Sequence, residues 1–160
     1  MQGRRRTGDE GFTLVELLVV VVIIGILVGI AIPVYLNYRK SSYEATAQSD
    51  LRMIQLEQRN YEANNATFGS TRQLAAANPD LRLSEGSVAA VVWSSDDGFC
   101  AGATNTKAPR DNSAPFAGYG FPYKTFFFDS TTGKTTTIMC SPPSGANGID
   151  GSHFDEGGVN

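Results

Sequence analysis

Among the residues able to do chemistry, one carboxylate sits where water is scarce. Glu16 lies inside FTLVELLVVVVIIGILVGIAIP, the run from Phe12 to Pro33. An acidic side chain at mid-bilayer costs about 3 kcal/mol, less near an interface, so such a residue is normally paired or functional. The other reactive groups assemble into nothing familiar. His153, the single histidine, sits in a glycine-rich tail, whereas a Ser–His–Asp arrangement needs its histidine rigidly held. Cys100 and Cys140 with one tail histidine miss the spacing of a zinc site, and no phosphate-cradling glycine loop occurs. Asp150, Asp155 and Glu156 offer the clustered oxygens that calcium prefers, but at a spacing that matches no calcium loop. The expectation is therefore a non-enzyme, with no cofactor and no metal, whose chemistry is that of assembly.

The element that carries Glu16 is a helix of membrane length. Leu17 to Leu36 is an uncharged run of 20 residues, which as a helix spans about 30 Å, one hydrocarbon core. Arg4, Arg5 and Arg6 precede it, and positive flanks stay in the cytoplasm. Everything past about Tyr38 then lies outside, in a compartment that permits disulfides. A cleavable secretory signal has a shorter apolar core, and a twin-arginine signal does not follow its arginines with Thr7-Gly8-Asp9-Glu10. A plain anchor explains the oil and the arginines but leaves Glu16 unexplained. The net charge of −3 argues against a nucleic-acid face made of bulk positive charge.

A cut between Gly11 and Phe12 would create an α-amino group four residues before Glu16. Within one helix that pair lies a turn apart. Between staggered helices, the amine of an incoming subunit could neutralise the Glu16 of one already packed. Each subunit would carry one plug and one socket, and head-to-tail contacts of that kind give open helical filaments.

These residues resemble a known family. A short basic leader ending in Gly11, followed by FTLVELLVVVVIIGILVGIAIP, is similar to the class III signal of type IV pilins and their pseudopilin relatives. The resemblance implies that a prepilin peptidase cuts after Gly11 and methylates Phe12. It implies that Glu16 guides assembly and that the chain itself is no catalyst. It further implies an α+β fold, a long N-terminal helix packed on a three- or four-stranded antiparallel sheet.

The same helix holds its own weak point. Pro33 lacks an N–H and its ring crowds the carbonyl of Gly29. Gly25 and Gly29 each disfavour helix by about 1 kcal/mol against alanine. Gly25 to Pro33 is expected to kink, or to melt when subunits pack. Gly25 and Gly29 also fit the close-packing motif of membrane helices.

Beyond Pro33 the helix is expected to continue to about Tyr61, with Tyr43, Ala47, Leu51, Ile54 and Tyr61 on one buried stripe. Arg39, Lys40, Glu44, Asp50, Arg52, Glu57, Arg59 and Glu62 are assigned to solvated faces, their alternating signs favouring a salt-bridged surface over a DNA patch. A loop with a short helix near Gln73 to Ala77 follows, stopped by Pro79. Strands are expected over Gly86 to Ser94, around Cys100, and on both sides of the turn Ser130-Thr131-Thr132-Gly133. Cys100 and Cys140 stand as one disulfide joining the second strand to the last, the alternative being two free thiols. In the family such a bridge bounds an exposed region, which would place Lys107, Arg110 and Asp111 on the outside. The tail from Ser141 is expected to be a flexible or loosely docked surface segment. Asn65-Ala66-Thr67 fits a glycosylation sequon, but so short a triplet is frequent by chance.

The domain reading is a cleaved leader over 1–11, a membrane or filament-core helix over 12–36, and an extracytoplasmic globular domain over 37–160. The function implied is the structural subunit of a type IV pilus-like filament. The alternative is a pseudopilin of a type II secretion or DNA-uptake machine. The implied partners are further copies of the chain, the prepilin peptidase, an assembly platform with minor pilins, and the cytoplasmic membrane before assembly. Double-stranded DNA is a remote partner on charge grounds.

Overall fold

In the computed structural model, residues 11–110, 123–148, 153–155 and 158–159 are described. Arg4, Arg5, Arg6, Asp9, Glu10, Asp111, Asp150 and Glu156 lie outside them. The chain divides between Tyr38 and Arg39 into two units.

Helix α1 runs Leu14–Asn65, with Pro33 inside it. It starts where Thr13 accepts the first helical bond, from Leu17 N–H at 3.3 Å. It ends four residues later than the sequence stripe suggests, where Ala66 turns left-handed at φ +56° and donates its N–H to Glu62 O at 2.8 Å. From Leu14 to Tyr38 every residue is exposed, and its large apolar side chains range from Val28 at 45% to Leu14 at 80%. This stretch is long and apolar enough to cross a membrane.

In the second unit, Ala47, Leu51 and Ile54 of α1 are buried at 0–1% exposure, as the stripe predicts. Tyr61 packs half-buried beside them. The short helix α2 spans Thr71–Ala77 and opens with a capping box: Ser70 N–H donates to Gln73 Oε1 at 2.8 Å and Gln73 N–H returns to Ser70 Oγ.

The sheet is antiparallel. Its main strands are β1 (Ser87–Ser94), β2 (Phe99–Asn105), β3 (Phe126–Asp129) and β4 (Lys134–Thr136). Two short strands, β5 (Phe154–Asp155) and β6 (Gly158–Val159), extend the β1 edge, giving the order β4-β3-β2-β1-β5-β6. The end of the tail is thus backbone-paired to the sheet, through Ala89 opposite Phe154, rather than loose. The long-helix-on-antiparallel-sheet architecture is the α+β fold the sequence implies.

Alternating strand residues Ala89, Val91, Phe99, Ala101, Ala103 and Phe126 meet α1 and form the main core. A bulge between Val91 and Trp93 interrupts the β1–β2 register. The alternation breaks there, and Val92 and Trp93 both join a second buried cluster with Cys100 and Phe127. Half-buried Cys140 and Ala146 pack on this cluster, and the segment carrying them is tied down by the Ser94–Asn147 bridge. Two hairpin tips touch: a Cβ at Gly98 would lie 2.8 Å from Ser130 Oγ, so only glycine fits that approach.

Candidate functional site: the head of the apolar helix

The sequence places its assembly chemistry at Gly11, Phe12 and Glu16, and the structure adds a residue to that set. Thr13 and Glu16 form a capping box. The Thr13 N–H and hydroxyl both donate to Glu16 Oε2, at 3.0 and 2.9 Å. The Glu16 N–H donates back to Thr13 Oγ1 at 3.2 Å. The signal was present in the sequence as Thr-x-x-Glu ahead of an apolar run, the recognised spacing for such a cap. Its consequence is direct: within a single subunit the Glu16 carboxylate already has donors from its own first turn. An acid at this position also opposes the positive end of the helix dipole favourably.

Around this head the surface is bare. Phe12 is 85% exposed and every side chain of the following two dozen residues faces outward. Beyond the adjoining residues and the helix's own backbone, no atom of the described residues lies within 4 Å of a Cβ built at Gly25 or Gly29, so no packing contact among those residues requires glycine there.

The remaining sequence candidates fall into place separately. Cys100 and Cys140 are bonded, with Cα atoms 6.3 Å apart. Cys100 lies in β2, while Cys140 follows β4 rather than sitting in the last strand, so the bridge fastens the connecting segment over the second cluster. Lys107 is exposed and pairs with Glu85; the ammonium holds the Glu85 carboxyl below its ordinary range. Asp155 lies in β5, and no group of metal-holding side chains occurs among the described residues.

Two polar residues were misjudged or overlooked from sequence. Asp50, assigned to a solvated face, is 2% exposed and accepts from Ser84 N–H at 3.3 Å and Ser84 Oγ at 2.9 Å. Gln58 is fully buried; its Nε2 donates to Gly69 O at 2.7 Å and its Oε1 accepts from Gly69 N–H at 2.9 Å. Both pin the loops after α1 to the helix. Glu44 is likewise half-buried, in an ion pair with Lys124 at 2.7 Å.

Comparison with known proteins bears on the head directly. Residues 6–32 match the prokaryotic N-terminal methylation motif. The chain is 28% identical over 154 residues to the type IV major pilin protein PilA of Myxococcus xanthus, covering 84% of this chain and 69% of that protein. It is 54% identical over 42 residues to the type IV major fimbrial protein FimA of Dichelobacter nodosus, covering 26% of this chain and 27% of FimA. The chain belongs to the type IV pilin and pseudopilin family. Pilins of this family are structural and non-enzymatic, and membership implies polymerisation and prepilin peptidase processing. A further relative is the type II secretion system core protein G of Pseudomonas aeruginosa, 33% identical over 69 residues, or 43% of this chain and 49% of that protein.

Proposed function

We propose that this pilin-family chain is the structural subunit of a type IV pilus-like filament. The observation that carries the reading is a coincidence of place. The methylation motif covers the same residues that form an apolar helix with no buried side chain. A helix so exposed needs an apolar partner from outside the subunit, first lipid and then its sisters.

In this reading the peptidase cuts after Gly11 and methylates Phe12. Arg4, Arg5 and Arg6 hold the leader in the cytoplasm, and the domain from residue 37 onward faces out. Cutting frees an α-amino cation one residue before Thr13. In the membrane-resident subunit the neutral donors of Thr13 serve Glu16. In the filament the cationic Phe12 terminus of a neighbouring subunit replaces or supplements them, because a charged donor binds a carboxylate about twice as strongly as a neutral one. The unneeded bareness at Gly25 and Gly29 supports close approach of sister helices there. Gly25 to Pro33 is the stretch that would loosen as they pack, since Gly29 O lacks the donor that Pro33 cannot supply. The partners are then further copies of the chain, the peptidase, and an assembly platform with minor pilins.

Likeness to the type II secretion core protein G supports a second reading, a pseudopilin built by the same assembly chemistry. The amount of filament separates the two, since a pilus is shed as abundant long fibres.

Mass spectrometry of the native N-terminus tests the proposal. A chain beginning at methylated Phe12 is expected, and one retaining Arg4 to Arg6 removes its basis. Glu16→Ala is expected to leave processing and membrane insertion intact while filaments are lost. Wild-type yields of sheared filaments from that variant would show that Glu16 does not guide assembly.

A further inference from the structure

A cleft of about 130 Å³ opens between the C-terminal end of α1 and the body of α2. Its one charged lining residue is acidic, set beside the amides of Asn60, Asn64, Asn65 and Asn78. Glu57 contributes a half-buried carboxylate with no hydrogen bond or ion pair among the described residues. Asn64 and Asn65 donate their Nδ2 groups back to Asn60 O and Tyr61 O, at 2.8 and 2.9 Å. Their remaining amide oxygens are acceptors only. The last turn of α1 carries no basic residue, so the negative end of its dipole is uncompensated here. Tyr61, Leu74 and Ala77 supply its apolar walls.

That combination selects an organic cation. A divalent metal ion wants several carboxylates and gains nothing from apolar walls. A guanidinium or ammonium on a methylene stem uses both, placing its charge against Glu57 and its stem along Tyr61 and Leu74.

We propose that this cleft is a socket for an arginine or lysine side chain of a second copy of the chain in the assembled filament. The inference rests on the polymer reading above. The surface of the same subunit supplies the plugs. Among the described residues, Lys40, Arg52, Arg59, Arg110 and Lys134 are exposed, with side chains engaged in no hydrogen bond, ring contact or ion pair among those residues. Arg59 is the first choice. It follows Glu57 by two positions, about 200° around the helix, so one subunit presents socket and plug on opposite sides of the same turn. A contact that joins different faces of identical subunits does not close on itself and propagates as a fibre.

The test uses the full chain in its own cell, with sheared filament yield and subunit melting temperature read together. Glu57→Lys is expected to lower filament yield about tenfold, with charge pairing restored by a second reversal as in a double-mutant cycle. Combination with Arg59→Glu, or failing that with Arg52→Glu, Lys40→Glu, Arg110→Glu or Lys134→Glu, restores it. If the lysine variant melts early, Glu57→Gln keeps the shape and is read in its place, again expecting lost filaments at an unchanged melting temperature. Restoration by none of the five reversals, or wild-type yield from the Glu57 variants, overturns the socket while leaving the filament reading standing. A wild-type chain that makes no filaments overturns both.

Discussion

The two halves of α1 share one helix and obey opposite rules. From Leu14 to Tyr38 nearly every side chain is apolar and none is buried. From Arg39 to Asn65 charged and amide side chains dominate, yet Ala47, Leu51 and Ile54 reach 0–1% exposure and even Asp50 and Gln58 are buried. Hydrophobicity therefore does not mark the part of the helix that stabilises the subunit. Burial needs a partner surface, and the sheet meets the polar half. In the proposed reading the oily half finds its partner first in lipid and then in other copies. One half of the helix would then serve folding and the other assembly, and substitutions should separate the two.

The largest separation is expected at the disulfide. Cys100 and Cys140 close a loop across 40 positions, wholly within the second unit. Cys140→Ser in the full chain in detergent should cost about 4 kcal/mol of domain stability in the chain-entropy estimate. Helicity of the apolar half, followed by circular dichroism at temperatures above the domain melt, should persist. Simultaneous loss of both signals would break the comparison.

A matched pair of isoleucines comes next. Ile54 is completely buried and Ile26 is 61% exposed. Ile54→Ala should destabilise by about 3 kcal/mol, the usual range for emptying a buried aliphatic site. Ile26→Ala should leave the melting temperature unchanged. Equal shifts would mean that the apolar half contributes to the subunit's own stability after all.

Gln58→Ala sharpens the contrast by asking what polar residues do in the folding half. It strands the N–H and C=O of Gly69, and the cost is expected to be about 2 kcal/mol by denaturant titration. Glu62→Ala, on the exposed side of the same helix, is the control and should shift nothing.

The smallest effect is pH-dependent. Lys107 depresses the Glu85 carboxyl, so the pair's contribution is present above the unfolded carboxylate range and is lost as pH falls through the depressed value. Both side chains are well exposed, 42% for Lys107 and 79% for Glu85, and salt screens the pair. Glu85→Gln should narrow the difference in melting temperature between neutral and acid pH slightly, and only at low ionic strength. An unchanged acid-to-neutral difference would show that the pair contributes nothing.

Much of this was legible along the chain because local physics decides it. The period of Ala47, Leu51 and Ile54 gives a helix face, Pro79 ends a helix, and Gly133 at φ +67° permits the turn between β3 and β4. The Thr13–Glu16 cap was legible too, since its spacing alone forms it. The two-residue strands at the tail were not, because Phe154 and Val159 sit among glycines and acids that show no strand period. Nor could alternation foresee that the bulge before Trp93 creates a second core.

The sequence by itself determined that Leu17 to Leu36 lies in a helix of membrane length, that its head carries one acid, and that a polar α+β domain follows. Those properties depend on neighbours within a turn or a strand. Only the tertiary structure decided that Asp50 and Gln58 are interior residues, that Cys140 straps a connecting segment over Trp93, and that Glu57 faces a cleft. A polar side chain is buried only when a distant backbone or hydroxyl arrives to satisfy it, and Ser84 lies 34 residues from Asp50 along the chain.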